Sequence, residues 1–167
     1  GLDAISIASA LIHDVVEDNN DHTLERIQKE FGDKIAKIVD GLTKIGKLNT
    51  KGYSDVSIQA ENYRKMLLTL NEDVRVIIIK IADRLHNMQT LGSMPYEKQI
   101  QKASETLYIY APLAHRIGLY NIKTELEDLG LKYTDPDTYD EISKKLIESK
   151  KDQDEYIVKF NSCLLYT

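Results

Sequence analysis

The chain has 167 residues, a length typical of one compact domain that can bury a sizeable core without disulfide support. Its single cysteine, Cys163, excludes an internal disulfide and fits a reducing cytoplasm, and no apolar run approaches the roughly 20 residues that cross a bilayer. The net charge of −5 argues against broad binding to duplex nucleic acid, but a small phosphorylated ligand held by a metal ion stays compatible with it. We therefore expect a cytoplasmic domain without membrane or direct nucleic-acid contacts.

The first 46 residues show helical periodicity, with three helices separated by short polar connections. The first helix is predicted from about Leu2 to Asp18. Thr23 is a plausible N-cap for the second helix, which Gly32 ends. A third helix starts at Asp33. Its apolar stripe comprises Ile35, Ile38, Val39 and Leu42.

The middle of the chain is predicted to contain a polar loop and two further helices. Lys47 to Ser57 lacks an apolar pattern and predicts an exposed loop, which either borders a site or is a tolerant connection. A helix follows over Ile58–Leu70. Asn71 is expected to cap the next helix, which extends from Asp73 to about Leu91 and is apolar on nearly all sides. We interpret it as the central buried helix and not as a strand, because of its length.

The second half predicts three more helices, so the fold class is an all-α bundle of about eight. Pro95 suits the first turn of a helix that ends at Gly118, with Pro112 bending or breaking it. A shorter helix over residues 119–129 is predicted to end at Gly130. Asp135 and the proline after it predict the start of a final helix that passes residue 147. The residues of this half that we expect in the core are Tyr108, Tyr110, Leu113 and Leu119.

The first helix carries an unusual group of polar residues. His13 and Glu17 share a helical face, and Asp14 and Asp18 lie beside them, on a helix whose other positions are largely apolar. Ionised groups in apolar surroundings are costly unless they are paired or bound to metal. A cation is the simplest solution, although a lone buried histidine is more often a hydrogen-bonded core residue.

The Ile-rich central helix carries the second group. Asp83 stands beside a wall of aliphatic residues, and Asn87 follows one turn later on the same face. Asp83 needs a partner, which could be Lys80, Arg84 or the metal ion suspected at His13 and Asp14. Two such groups on two helices are less readily explained by chance than either one alone.

The donor set indicates a hard or borderline divalent ion. Imidazole and carboxylate ligands suit Mn²⁺ in preference to Mg²⁺ or Fe²⁺, and the absence of a cysteine cluster argues against structural zinc. Such an ion would hold a phosphoryl oxygen and acidify a bound water, which Glu17 or Asp18 would orient or deprotonate.

Several segments carry a resemblance to a known family. His13-Asp14 followed by Asp83 is similar to the signature of the HD phosphohydrolase superfamily. The match extends to segments that resemble the amino-terminal half of the bifunctional Rel/Spo (p)ppGpp synthetase/hydrolases. These segments are Ala10–Asp18, Ile38–Lys44, Gln59–Met66, Ala82–Leu91 and Glu105–Tyr133.

The resemblance implies an HD-domain helical bundle and Mn²⁺-dependent removal of the 3′-pyrophosphate of guanosine tetra- and pentaphosphate. His13, Asp14 and Asp83 would be metal ligands, and Glu17 and Asp18 would act on the attacking water. The resemblance also implies a substrate-binding set of Asn87, Thr90 and Arg84. Asn87 and Thr90 would contact the nucleotide, whereas Arg84 would brace the site more than bind substrate. Residues 1–145 would form the hydrolase domain, and residues 146–167 would extend towards a synthetase domain absent from this chain.

The sequence departs from the family pattern in two ways. The family places a further histidine ligand upstream of the first helix, and Gln89 stands where the family usually has arginine, so phosphate contacts there lose a guanidinium. We therefore expect little hydrolysis and weak metal binding from this chain alone. His22, His86 and His115 are not expected to replace the missing ligand, because His22 lies in a polar turn, His86 should point away from Asp83, and His115 should pack. The alternatives are a general HD nucleotidase and a degenerate hydrolase domain that regulates a linked synthetase.

Overall fold

The computed structural model describes residues 2–18, 23–46, 64 and 73–165, apart from the side chains of residues 17, 18, 46, 152 and 160–165. Within these ranges the fold is all-α and contains no strand, which confirms the predicted fold class. The helices are α1 (Ala4–Asp18), α2 (Leu24–Phe31), α3 (Asp33–Gly46), α4 (Val74–Gln89), α5 (Tyr96–Glu105), α6 (Ala111–Arg116), α7 (Tyr120–Thr134) and α8 (Pro136–Leu165). A π turn (Thr106–Tyr110) joins α5 and α6 into one continuous rod. None of the helices in the described ranges is both long and apolar enough to cross a membrane.

Side-chain caps mark where several of these helices begin. The side chain of Thr23 accepts a hydrogen bond from the backbone amide of Arg26, and the side chain of Asp135 accepts one from the backbone amide of Thr138. Both caps were predicted. α4 begins one residue later than expected because Asp73 is its N-cap. The residues predicted as a loop and helix between 47 and 72, including the expected cap at 71, lie outside the described residues apart from residue 64.

The core lies where α3, α4, the π turn, α6 and α7 meet. α4 buries residues on most of its circumference, among them Ile77, Ile81 and Met88, which confirms that it is the central helix. The α3 stripe contributes Ile38 and Leu42, both essentially inaccessible to solvent. α1 packs on α3 and α4, so it is held against the central helix.

A charged link fixes the start of α1 to the start of α4. The Arg75 guanidinium lies 3.0 Å from Asp3 and 2.7 Å from Asp73, each measured to a carboxylate oxygen. Hydrogen bonds from Arg75, side chain first, lower the pKa of Asp73. Hydrogen bonds from Ser6 lower the pKa of Asp3. This link helps to align the two helices that carry the candidate site.

The rod of α5 and α6 differs from the prediction in its interior. The predicted bend near Pro112 takes the form of the π turn, in which the Ala111 amide donates to the Thr106 carbonyl. A proline at 112 cannot donate the usual hydrogen bond, and its ring conflicts with the preceding turn of an α-helix. Tyr108 is 62% exposed, so its prediction as a core residue was wrong, whereas Tyr110 is buried as expected. Gly118 ends the rod with φ +79°, as predicted.

Gly130 does not end α7, which continues to Thr134. The glycine is needed for a close approach: a Cβ atom there would lie 2.6 Å from both Cγ and Cδ2 of Leu107. The next helix, α8, then runs through the domain boundary predicted at residue 145 without a break, and that boundary stays a prediction.

Candidate metal centre

His13 is buried in the third turn of α1, with 4% of its surface exposed. Its Nδ1 lies 2.8 Å from the carbonyl oxygen of Ala10. A carbonyl oxygen only accepts, so the proton of the imidazole belongs on Nδ1. In the neutral ring, Nε2 then carries the lone pair, which is the arrangement found in most metal-bound histidines.

The Nε2 atom of His13 lies 2.8 Å from Oδ1 of Asp14. The angles are not those of a hydrogen bond, and Nε2 has no hydrogen-bond partner within the described ranges. Two lone pairs at this distance repel each other unless a cation lies between them. Ligand atoms at right angles around a divalent ion, each about 2.1 Å from it, are about 3 Å apart. The pair therefore fits two adjacent ligands of one metal ion.

Asp83 of α4 faces the same cavity as His13 and Asp14, about 360 Å³ in volume. Its Oδ2 lies 3.2 Å from Nζ of Lys80, and its Oδ1 accepts a hydrogen bond of 3.0 Å from the Asn87 amide. The partner predicted for Asp83 therefore includes Lys80. The other walls are mainly apolar, formed by Leu2, Ile7, Ala10, Leu11, Ile79 and Ala82.

The site is only partly assembled. Among the described residues, no three His, Cys, Asp or Glu side chains approach closely enough to form a metal cluster. The side chains of Glu17 and Asp18 lie outside the description, although both residues belong to the last turn of α1. Asn87 and Thr90 do not line the cavity, and the Thr90 hydroxyl donates to the His86 carbonyl at 3.1 Å.

Arg84 does not line the cavity. Its Nη2 is 2.9 Å from Oε2 of Glu105, in an ion pair of which both side chains are at most 8% exposed. Burial alone would lower the pKa of Arg84, but Tyr110 and Glu105 outweigh it and the net shift is upward. This position supports the bracing role expected for Arg84 more than contact with substrate.

His86 belongs to the surroundings of the site, contrary to our expectation that it points away from Asp83. Both residues line the cavity, and His86 is exposed there. Their separation of three residues on α4 was the available signal, because such residues share a helical face. His115, by contrast, packs edge-on against Tyr120 with ring centroids 5.4 Å apart, as expected for a packing residue.

Comparison with known proteins identifies the family. The model of the HD domain matches residues 1–120, which include His13, Asp14 and Asp83. The chain belongs to the HD domain family. The helical fold is thus that of an HD domain.

Relatives of this HD domain include named enzymes of guanosine nucleotide metabolism. The chain is 48% identical over 160 residues, 96% of its length, to the guanosine-3′,5′-bis(diphosphate) 3′-pyrophosphohydrolase of Aquifex aeolicus, of which this covers 22%. It is 46% identical over 157 residues, 93% of its length, to the GTP pyrophosphokinase of Myxococcus xanthus, of which 21% is covered. A probable guanosine-3′,5′-bis(diphosphate) 3′-pyrophosphohydrolase of Synechocystis is 46% identical over 92% of the chain and is covered to 20%. The resemblance to Rel/Spo proteins is confirmed, and the chain spans about a fifth of these curated relatives.

Proposed function

We propose that this HD domain belongs to a metal-dependent phosphohydrolase that removes the 3′-pyrophosphate of guanosine tetra- and pentaphosphate (ppGpp and pppGpp). The products are GDP or GTP and pyrophosphate. The observation that carries the proposal is the buried Nε2 of His13, which faces a carboxylate oxygen of Asp14 without a hydrogen bond. The named activity of the Aquifex aeolicus relative supplies the substrate class.

In this proposal, His13, Asp14 and Asp83 hold the ion, and Mn²⁺ is preferred over Mg²⁺ or Fe²⁺ because imidazole and carboxylate groups are mixed. When bound, the ion polarises a phosphoryl oxygen and lowers the pKa of a water ligand. The Ala10 carbonyl fixes the ring orientation of His13. Asn87 similarly orients the carboxylate of Asp83.

Glu17 and Asp18 are proposed to orient or deprotonate the attacking water, since they follow His13 by one turn of α1. Thr90 and Asn87, at the end of α4, are proposed to contact the nucleotide. Arg84 holds α4 through Glu105. The apolar walls of the cavity limit the access of competing water near the reacting phosphoryl group.

For the whole protein we propose a hydrolase domain over residues 1–145, with residues 146–167 leading towards a synthetase domain. The name of the Myxococcus xanthus relative, a GTP pyrophosphokinase, supports a second activity of this kind. The setting proposed for such an enzyme is the cytoplasm, without membrane or direct nucleic-acid contacts of the HD domain.

The substrate class is tested by comparing nucleotides at equal concentration. The intact protein with Mn²⁺ should release pyrophosphate from ppGpp, and GDP should be the second product on an ion-exchange column. Turnover of dGTP or AMP should be far slower. Equal or faster turnover of dGTP or AMP would support the general HD nucleotidase instead.

The metal ligands are tested by Mn²⁺ titration followed by electron paramagnetic resonance. We expect His13→Ala to weaken Mn²⁺ binding by more than about 10-fold, the lower limit seen when a group that only supports a ligand is lost. His115→Ala is the matched control, because this exposed histidine packs on Tyr120 away from the cavity. Equal Mn²⁺ affinity of the two variants would contradict the assignment.

Gln89 favours one alternative, a regulatory HD domain that binds the nucleotide without hydrolysing it. Its amide is neutral and donates to Glu125 of α7 at 2.7 Å, so it offers no positive charge to a phosphate. An intact protein that binds ppGpp but releases no pyrophosphate at any Mn²⁺ concentration would establish this alternative.

A further inference from the structure

The π turn between α5 and α6 places two residues around one buried cation. π turns are rare in proteins and are frequently found at functional sites. In an α-helix, residues five apart are separated by about 140° around the axis. The i→i+5 hydrogen bond of a π turn brings residue i+5 back over residue i. Glu105, which directly precedes this turn, and Tyr110, its last residue, therefore face the same neighbour.

That neighbour is Arg84. Its Nη2 lies 2.9 Å from Oε2 of Glu105, and its Cζ lies 4.1 Å from the centroid of the Tyr110 ring. Both partners are buried, Glu105 at 6% and Tyr110 at 3% exposed. Burial raises the pKa of Tyr110, so its neutral ring presents a π face to the guanidinium. Arg84 is thus held by a carboxylate and by an aromatic face of one rod.

This contact lies next to the candidate site along α4. Arg84 follows Asp83 on α4, and Asp83 faces the cavity while accepting a hydrogen bond from Asn87. The guanidinium therefore anchors α4 to the rod, about 100° around the helix axis from Asp83. If the π turn changed to an α-helical turn, Glu105 and Tyr110 would separate around the rod, and Arg84 would lose one of them.

We propose that Glu105 and Tyr110 are positioning residues: through Arg84 they hold α4 where Asp83 faces His13 and Asp14, and the π turn makes this double contact geometrically attainable. The effect on the position of α4 can be tested whatever reaction the protein catalyses. The effect on activity rests on the proposed function.

The first experiment uses NMR of the 167-residue chain to test the position of α4, and it needs no activity assay. The reporter is the side-chain amide of Asn87, which donates to Asp83 at 3.0 Å. Glu105→Gln and Tyr110→Leu should shift or broaden this resonance. Tyr110→Phe keeps the ring face and should leave it in place.

The control variant must lose stability without touching Arg84. Ile27→Ala serves, because Ile27 is buried on α2, which packs against α3 on the other side of the bundle. We expect its Asn87 resonance to stay unchanged. An unchanged Asn87 resonance in Glu105→Gln and Tyr110→Leu, or an equal shift in Ile27→Ala, would overturn the proposal.

The second experiment measures Mn²⁺ affinity and kcat for ppGpp in the intact protein. Glu105→Gln and Tyr110→Leu should reduce Mn²⁺ affinity about 10- to 100-fold, the range for groups that orient a metal ligand. kcat should fall more than KM rises, because these residues do not line the cavity. Tyr110→Phe and Ile27→Ala should stay within about twofold of the unmodified protein.

The two experiments separate the possible failures. An unmodified intact protein that neither binds Mn²⁺ nor hydrolyses ppGpp would refute the proposed function. The Asn87 resonance would still test whether Glu105 and Tyr110 hold α4 in place through Arg84. Normal activity and metal affinity in Glu105→Gln and Tyr110→Leu would overturn the positioning role directly.

Discussion

Replacing Gly130 with alanine separates two explanations for a glycine inside α7. Alanine is a better helix former than glycine by about 1 kcal/mol in a helix interior, so a glycine without tertiary function should be improved by the change. In the structure, the added Cβ would lie 2.6 Å from Cγ and Cδ2 of Leu107. Cγ is the branch point of that side chain, so relief requires the whole leucine to move.

Extra methyl groups in a packed core cost about 1–3 kcal/mol. Because the conflict involves a branch atom, we take the upper part of that range and subtract the helix-propensity gain. The expected net loss of unfolding free energy is about 1–2 kcal/mol for Gly130→Ala. A domain of this size should then lose about 2–8 °C in Tm, since each kcal/mol corresponds to about 2–4 °C. Urea and thermal unfolding followed by circular dichroism measure both quantities.

The Leu107→Ala background supplies the control. Without the leucine side chain the conflict is removed, and Gly130→Ala should stabilise Leu107→Ala by up to about 1 kcal/mol. The predicted sign therefore reverses between the two backgrounds. If Gly130→Ala stabilises the chain that retains Leu107, the close-packing explanation is refuted.

Two further predictions concern stability. Because the pKa of Asp73 is lowered from 3.8, the folded state binds fewer protons than the unfolded state in this region, so unfolding free energy should fall as pH drops from about 5 through that lowered value. Asp73→Asn should flatten the pH dependence of the urea midpoint, and an unchanged slope would contradict the role of the link to Arg75. Leu42→Ala removes a fully buried side chain of α3 and should cost about 2–5 kcal/mol in urea unfolding. Leu11→Ala, at a position 77% exposed, should stay within about 0.5 kcal/mol, and similar losses for both would contradict the burial pattern.

Features with local causes could be predicted from the sequence. The caps at Thr23 and Asp135 depend on hydrogen bonds to residues three positions away, and the buried character of α4 follows from its own composition. The proximity of His13 and Asp14 likewise follows from their adjacency on one helix. These features do not depend on how the helices pack.

Features with tertiary causes escaped prediction. Gly130 was predicted to end a helix. The structure explains this glycine by a close approach to Leu107, which lies in another part of the fold and is not visible from local sequence. Tyr108 was expected in the core together with Tyr110, but on the π turn it is exposed. The pairing of Arg84 with Glu105 joins residues from two different helices, so no local spacing could indicate it.

The proposed hydrolysis depends most on Asp83 acting with His13 and Asp14 in one metal-dependent site. The direct measurement is the rate of pyrophosphate release from ppGpp with Mn²⁺ by the intact protein carrying Asp83→Asn. Asp128→Asn, at an exposed position of α7, is the matched control. We expect Asp83→Asn to lower kcat by more than about 100-fold, beyond the effect of losing a group that only supports a ligand, with Asp128→Asn unchanged. Equal rates for both variants would contradict the proposed site.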